Sequence, residues 1–501
     1  MSVNKILFVT SEIHPLIKTG GLADVSASLP KAIKALRRDI RILLPGYRSV
    51  LRALGAVREI AALHCAPARE AVRLLETTLP GTSIKIWLVD SPEHFDRDGG
   101  PYLGPDGKDW PDNAERFTVF SRVAEAVGLD RAGLAWRPDL VHCNDWQGGL
   151  AVALLSRHSS RPATLFTIHN LAYQGLFPAE TFRRLELPPE LWSMHGLEYY
   201  GQLSFIKGGI AFADMLNTVS PQYAQEICTP AFGCGLENLL QHRADRLVGI
   251  LNGADYKEWN PAKDPHIPQR YNAFSLHKKA ANKAALQRRF QLPAEAATPL
   301  IGMIGRLAEQ KGLDLMLAAL PQLLRRSVQL LVLGSGNRQI EQELREAVAA
   351  YPGQVAAQFG YDEALAHLIE AGADIFLMPS RYEPCGLNQI YSLRYGTVPV
   401  VHRTGGLANT VIDATEDTLR RGAATGFVFD EPTPAALLAA VNRALDCYRQ
   451  PRLWKRLAYV GMQQEFGWRQ SAHQYVELYQ RTAVLAAARD PGRSAIMRPA
   501  P

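Results

Sequence analysis

The segment Asp374–Leu387 reads DIFLMPSRYEPCGL and joins a short apolar strand to a helix that we expect to begin near Gly386. Glu383 then lies at the carboxyl end of a strand and beside a helix N-terminus. Open α/β sheets bind ligands there, because backbone N–H groups can receive an anion or sugar hydroxyls. A glycine pair at 405–406 lets a second turn approach the same crevice. Taken alone, the segment also fits an ordinary turn with a solvated glutamate.

The same alternation of apolar strands and amphipathic helices extends through most of the chain. It predicts an α/β fold with parallel sheets assembled from βαβ units. The predicted strands are 5–10, 40–44, 84–89, 140–143, 163–168, 215–219, 300–304, 329–333, 355–359, 374–378 and 398–401. The predicted helices are 22–36, 113–127, 148–157, 204–213, 314–324, 338–350, 362–370 and 386–395.

A stretch rich in turn residues, 252–268, interrupts the alternation near the middle of the 501 residues. Because a chain of this length exceeds one typical core, we predict two Rossmann-like domains facing a central cleft. Their predicted bounds are 1–252 and 253–480, and we expect the last helix to cross back to the first domain. Residues 481–501 are predicted to form a partly disordered tail.

The composition excludes several classes of protein. A net charge of +6 without a long Lys/Arg block gives no reason to expect a nucleic-acid partner. The six cysteines contain no C-x-x-C pair, so we interpret them as reduced thiols of a cytoplasmic protein. The N-terminus opens directly into a strand, and no run of about 18 apolar residues is available to span a membrane.

Three groups of polar residues are predicted at strand ends. Lys18 precedes Gly20 and Gly21, where a bare backbone and a helix N-terminus favour a phosphate. Asp145 and His169 follow the strands 140–143 and 163–168, on the same edge of a parallel sheet. A plain glycine turn and local hydrogen bonding fit these residues as well when each is considered separately.

The third group follows the strand 300–304, where Arg306 and Lys311 would present two cations to one point. Two cations can hold a diphosphate and stabilise it as a leaving group. The turns at 334–336 and at Tyr361 suit ribose and base contacts respectively. A charged surface loop is the alternative interpretation.

Taken in order, these segments resemble the glycosyltransferase family 5 enzymes, the bacterial glycogen synthases and plant starch synthases. The similarity covers about residues 3 to 480. The matching motifs are Lys18–Leu22, Asn144–Trp146, Thr167–Gly175, Lys207–Gly209, Asn252–Gly253, Gly305–Leu307, Gln310–Gly312, Pro379–Leu387 and Arg403–Leu407.

The resemblance implies the GT-B fold and transfer of glucose from ADP-glucose to the non-reducing 4-hydroxyl of glycogen or another α-1,4-glucan, with retention. It also implies a role for each matching residue. Lys18, Gly20 and Gly21 would lie near the donor phosphates, and Arg306 and Lys311 would bind the diphosphate. Glu383 and the amides of Cys385, Gly386 and Leu387 would hold the glucose. Asp145, Trp146 and His169 would line the sugar and acceptor side, and Tyr361 would lie beside the adenine.

With two cations available for the leaving diphosphate, we expect neither a metal ion nor a cofactor. Retention requires either a carboxylate nucleophile or attack on the face that the leaving group departs from. We favour same-face attack, with the leaving phosphate as base, but the sequence leaves both routes open.

Other functions also remain open. Another retaining GT-B transferase, using a different nucleotide sugar or a small acceptor, is the nearest alternative, and the Lys18–Gly21 turn, typical of the glucan synthases, argues against it. A non-catalytic glucan-binding protein is disfavoured because Glu383, Arg306 and Lys311 are all present. A dinucleotide oxidoreductase is disfavoured because the first turn lacks G-x-G-x-x-G.

Overall fold

The computed structural model describes residues 3–488, and they divide into two compact units. Unit 1 comprises the described residues up to Gly253 and those from Trp468 to Ala488. Unit 2 is Ala254–Gly467. Within the described range, no helix is both long and apolar enough to cross a membrane.

Unit 1 is built on a large sheet of mostly buried strands. Its strands and those of a small second sheet are β1 Lys5–Val9, β2 Asp39–Pro45, β3 Arg58–Leu63, β4 Val72–Thr78, β5 Lys85–Asp90, β6 Leu140–Asn144, β7 Ala163–Ile168, β8 Leu176–Pro178, β9 Glu198–Tyr199, β10 Gln202–Ser204, β11 Met215–Thr218 and β12 Leu247–Gly249. The large sheet has the order β12-β11-β7-β6-β1-β2-β5-β4-β3, and its antiparallel pairs are β3–β4 and β4–β5. The second sheet is antiparallel, in the order β8-β10-β9.

The helices of unit 1 connect these strands and cover the sheet. They are α1 Gly21–Ala35, α2 Arg48–Leu54, α3 Pro92–Phe95, α4 Asn113–Gly128, α5 Asp145–Ser156, α6 Ala179–Arg184, α7 Phe205–Phe212, α8 Pro221–Glu226 and α9 Glu237–His242. Every residue of β6 and β7 is buried, as expected for parallel strands with helices on both faces.

Unit 2 contains a wholly parallel sheet with the order β15-β14-β13-β16-β17-β18. Its strands are β13 Leu300–Ile304, β14 Gln329–Gly334, β15 Val355–Phe359, β16 Ile375–Met378, β17 Val398–His402 and β18 Phe427–Phe429. Its helices are α10 Lys279–Arg289, α11 Leu313–Leu323, α12 Arg338–Ala350, α13 Glu363–Gly372, α14 Asn388–Tyr395, α15 Gly405–Thr410, α16 Glu416–Arg421, α17 Pro434–Tyr448 and α18 Pro451–Met462.

Both sheets reverse their strand order at one point. In unit 1 the chain proceeds from β1 towards β2 and β5, and then from β6 towards β7, β11 and β12. In unit 2 it proceeds from β13 to β15, and then from β16 to β18. The adjacent pairs β1–β6 and β13–β16 are therefore topological switch points, where open α/β sheets form a ligand crevice.

The last helix, α19 Trp468–Ala488, packs in the core of unit 1. Residues 481–488 of the predicted tail are helical, and the remainder of the tail lies outside the described residues. The Tyr479 hydroxyl lies 3.0 Å from His142 Nδ1, and Tyr475 accepts a hydrogen bond of 2.9 Å from Asn217 Nδ2. Burial lowers the pKa of His142 well below its usual value, so this imidazole is neutral.

Replacing Tyr479 by phenylalanine should destabilise unit 1. The change leaves a buried ring nitrogen of His142 without its hydroxyl partner, which costs about 1–3 kcal/mol of unfolding free energy. A lower urea midpoint, followed by tryptophan fluorescence, is the expected result. Tyr459→Phe, which alters a partly exposed tyrosine of unit 2, is the matched control and should leave the midpoint unchanged. Equal midpoints for both variants would contradict the contact.

Several elements differ from the sequence expectation. The hairpin β3–β4 and the small sheet were not predicted, because β3 is half-exposed and β8 to β10 have only two or three residues each. The helix α5 begins at Asp145 rather than 148. The helix α14 begins at Asn388, because Gly386 has a φ of 69°, which no right-handed helix accommodates.

Candidate active site

The turn that carries Lys18 is organised by Glu12, which the sequence did not single out. Glu12 is buried and accepts hydrogen bonds from the Thr19 amide at 2.6 Å, from the Gly20 amide at 3.2 Å and from the Tyr102 hydroxyl at 2.7 Å. Lys18 Nζ lies 2.8 Å from Asp24 Oδ1. The side chain of Glu12 therefore fixes the conformation of this turn.

Gly20 and Gly21 leave their outer side open. A Cβ at either position would meet no heavy atom within 4 Å, so packing does not require these glycines. Gly21 is the first residue of α1, and Gly20 precedes it in extended conformation. The bare backbone thus leaves room for an anion to approach this helix N-terminus, although the Gly20 N–H itself donates to Glu12.

Asp145 and His169 lie side by side at the end of β6 and β7. Asp145 Oδ1 accepts hydrogen bonds from the His169 amide at 2.7 Å and from the Asn170 amide at 3.4 Å. Burial raises the pKa of Asp145 to about 7. The backbone of Asp145 has a φ of 53°, a left-handed conformation that Asp adopts more readily than most other non-glycine residues.

The ring of His169 is held as a neutral hydrogen-bond acceptor. Its Nε2 lies 2.9 Å from Asn144 Oδ1, and an amide oxygen accepts only, so Nε2 carries the proton. Burial lowers the pKa of His169 to about 3. The other ring nitrogen, Nδ1, is therefore unprotonated and able to accept a hydrogen bond from a hydroxyl group.

Trp146 is a packing residue rather than an open stacking surface. It is 9% exposed, and its ring lies 4.8 Å from that of Phe117 and 6.0 Å from that of Phe177. A Cβ on Gly175 would come within 2.4 Å of the Trp146 ring. Trp146 thus packs among aromatic rings, and its place on the acceptor side stays a prediction of the resemblance.

In unit 2, Lys311 and Glu383 form an ion pair at the switch point. Lys311 Nζ lies 2.5 Å from Glu383 Oε2, and Ser380 Oγ donates to the same oxygen at 2.9 Å. Only 7% of Glu383 is exposed. The sequence placed both cations on a diphosphate, but it did not predict that one of them would also hold the carboxylate.

Arg306 stands on the exposed side of the same loop. Its Nη2 lies 3.4 Å from Gln310 Oε1, and Gln310 Nε2 donates to the Tyr382 carbonyl at 3.2 Å. Gln310 thus joins the loop after β13 to the loop after β16. Because β13 and β16 are neighbours, Arg306 and Glu383 belong to one edge of the sheet.

The glycine pair after β17 packs directly on the backbone of the Glu383 loop. The Gly406 amide donates to the Glu383 carbonyl at 3.0 Å. A Cβ at Gly405 would lie 1.9 Å from that carbonyl oxygen, and one at Gly406 would lie 1.9 Å from the Cys385 oxygen. The predicted close approach of the second turn is thus present, and it requires glycine at both positions.

The turn 385–387 leads into α14. Gln389 Nε2 donates to the carbonyls of Cys385 and Gly386, at 3.0 Å each, and Cys385 is buried. Leu387 is the residue that precedes the first turn of α14. Asn388 Nδ2 donates to the Ile304 carbonyl at 3.0 Å and so ties this turn to the end of β13.

Tyr361 lies apart from this group. It follows β15, the edge strand two places from β13, and its ring is 71% exposed. Its hydroxyl donates to Glu363 at 3.1 Å.

The predicted site residues thus form two groups. Arg306, Lys311 and Glu383 lie together at the β13–β16 switch point of unit 2. Lys18, Asp145 and His169 lie at the β1–β6 switch point of unit 1.

Comparisons with known proteins agree with this geometry. Residues 5–242 match the family model of the starch synthase catalytic domain, and residues 286–461 match that of glycosyl transferases group 1. The chain is 57% identical over 477 residues to a glycogen synthase from Thioalkalivibrio sulfidiphilus, covering 95% of this chain and 99% of that relative. It is 57% identical over 475 residues to glycogen synthase 1 from Methylococcus capsulatus, covering 95% and 96%.

A solved structure gives the same result. The catalytic domain of starch synthase IV from Arabidopsis thaliana, bound to ADP and acarbose, has a TM-score of 0.85 with this chain. The two are 32% identical, and the match covers 97% of this chain and 100% of that one. The predicted fold class and family are confirmed: the chain is a GT-B glycosyltransferase that belongs to the glycogen synthase and starch synthase family.

Proposed function

We propose that this protein transfers glucose from ADP-glucose to the non-reducing 4-hydroxyl of an α-1,4-glucan such as glycogen, with retention of configuration. The observation that carries the proposal is the joined arrangement of Lys311, Glu383 and Ser380 beside Arg306 at the β13–β16 switch point. The relatives named glycogen synthase and the starch synthase bound to ADP and acarbose support the choice of donor and acceptor.

The cations act on the leaving group. Cleavage of the glycosidic bond to the diphosphate leaves negative charge on the phosphate oxygens and positive charge on the sugar. Arg306 and Lys311 stabilise the phosphate charge, so the proposed reaction uses no metal ion. The amides at the start of α14, fixed by Gln389 and Asn388, bind the glucose hydroxyls.

Glu383 is better suited to balance charge than to attack the sugar. Its Oε2 accepts from Lys311 and Ser380, so the carboxylate is held as an anion against a cation. We therefore propose same-face substitution, in which the leaving phosphate accepts the proton of the attacking hydroxyl. On the acceptor side, neutral His169 and Asp145 orient that hydroxyl.

The test is a comparison of donors with glycogen as acceptor. We expect ADP-glucose to exceed UDP-glucose by at least about tenfold in kcat/KM, a difference of about 1.4 kcal/mol in transition-state stabilisation. Release of the nucleoside diphosphate is measured with and without glycogen. Equal values for both donors would overturn the choice of ADP-glucose. Transfer to a sugar phosphate but not to glycogen would favour a different retaining GT-B transferase.

A further inference from the structure

Glu12 is a buried carboxylate that the proposed reaction does not use. It lies in the segment between β1 and α1 and is only 3% exposed. Its two oxygens accept four hydrogen bonds, from the amide and the hydroxyl of Thr19, the amide of Gly20 and the hydroxyl of Tyr102. All four of these donors are uncharged groups.

The carboxylate and the turn after it depend on each other. Burial of a charge lowers the stability of a fold unless hydrogen bonds compensate for the lost water. Three of the four hydrogen bonds to Glu12 come from Thr19 and Gly20. The compensation is therefore complete only while that one turn keeps its present conformation.

The turn needs such a restraint, because its own sequence does not supply one. Two consecutive glycines, Gly20 and Gly21, have more backbone freedom than any other pair of residues. A Cβ at either position would meet no heavy atom within 4 Å, so neighbouring groups do not confine the pair. The hydrogen bonds to Glu12 provide the missing restraint on the glycine that precedes α1.

Tyr102 in turn holds the carboxylate. Burial raises the pKa of Tyr102 well above its usual value, so the hydroxyl keeps its proton and donates to Glu12 Oε1 at 2.7 Å. The Ser11 hydroxyl lies 2.7 Å from the Tyr102 oxygen. Asn113 Nδ2 donates to the Tyr102 carbonyl at 3.0 Å, which ties Tyr102 to the start of α4. The restraint thus extends from the turn to a helix of unit 1.

From this geometry we infer that Glu12 is a positioning residue for the donor, because it holds the turn Lys18–Gly21 in the conformation that receives a phosphate group of the nucleotide sugar. The inference rests on the proposed function and on the place beside the donor phosphates that the resemblance implies for this turn. A turn that is ordered in advance binds its ligand without a further loss of conformational entropy.

The experiment measures kcat and both KM values of the full chain. We expect Glu12→Gln to raise the KM for ADP-glucose by about tenfold or more, because Gln replaces one accepting oxygen with an NH2 group. The kcat and the KM for glycogen should stay near the parent values, since the turn is held alike in the ground state and the transition state.

A second variant tests the same contact at an exposed residue, and it serves also if Glu12→Gln does not fold. Thr19→Val removes one hydroxyl donor and should raise the KM for ADP-glucose by about threefold. Thr19→Ser keeps the hydroxyl and should bring this KM back to that of the parent.

Glu76→Gln is the matched control. Glu76 is a partly buried carboxylate on β4 that accepts from Arg58, Lys85 and Trp87. Its replacement should lower the unfolding midpoint and leave both KM values unchanged, so the control separates loss of stability from loss of donor binding.

An unchanged KM for ADP-glucose in Glu12→Gln would overturn the inference, as would an equal rise in both KM values. A lower KM for ADP-glucose would also overturn it, because Glu12 would then compete with the phosphate for the turn. Calorimetry with ADP tests binding without transfer. If the parent binds ADP, Glu12→Gln weakens that binding and neither protein transfers glucose to glycogen, the proposed function fails and this inference stands.

Discussion

Alanine at Arg306 or at Lys311 is expected to lower kcat by about 10²–10³-fold, because each change removes a preorganised cation from the developing charge of the diphosphate. The structure predicts different effects of the two variants on the stability of the protein. Arg306 is exposed on its loop, so its loss should leave the unfolding midpoint unchanged. Lys311→Ala also leaves the carboxylate of Glu383, only 7% exposed, without its cation, and should lower the midpoint as well.

The measurement is kcat by coupled ADP release, with thermal unfolding of the same preparations. Arg420→Ala is the matched control, since Arg420 pairs with Asp417 on the surface of α16. Arg306→Ala with normal unfolding and a kcat within about threefold of the parent would show that this cation is not on the leaving group.

The second large effect is expected for Glu383→Gln. The amide keeps the shape of the side chain and removes the charge that faces Lys311. If this charge balances the positive charge forming on the sugar, kcat should fall by about 10²-fold or more. The affinity for the donor should fall much less, because the interaction strengthens only as the transition state forms.

Donor affinity is measured by calorimetry, and turnover is measured on the same sample. Glu309→Gln is the control, since the side chain of Glu309 lies on the Lys311 loop and is 83% exposed. Exposed substitutions usually change stability by less than about 0.5 kcal/mol, so this control should behave as the parent. A Glu383→Gln variant whose whole defect lies in donor binding would assign the carboxylate a different role.

The buried strands were predictable because their apolar runs are continuous. The strands predicted at 300–304 and 163–168 match β13 and β7 in full. The hairpin β3–β4 was missed because a half-exposed strand such as β3 has no such run. The hydrophobic pattern and the composition thus identify the inner strands of a sheet, but they do not identify half-exposed strands at its edge.

The sequence predicted where the candidate site residues lie along the chain, but it did not predict which of them contact one another. Strand-end motifs located Lys18, Arg306 and Glu383. Glu12 was not singled out, although two of its partners, the Thr19 and Gly20 amides, are only seven and eight residues away. The ion pair of Lys311 with Glu383 spans 72 residues, and no local pattern indicates contacts of that separation.

The place of α19 in unit 1 has a consequence for synthesis of the chain. The contact between His142 and Tyr479 spans 337 residues, and all of unit 2 is translated between them. While a ribosome is still producing unit 2, the polar groups of His142 and Asn217 lack their tyrosine partners, because α19 does not yet cover this face of the sheet. Unit 1 therefore reaches its full stability only when Tyr475 and Tyr479 have emerged, so the stability of the first half depends on residues that are translated after all of unit 2.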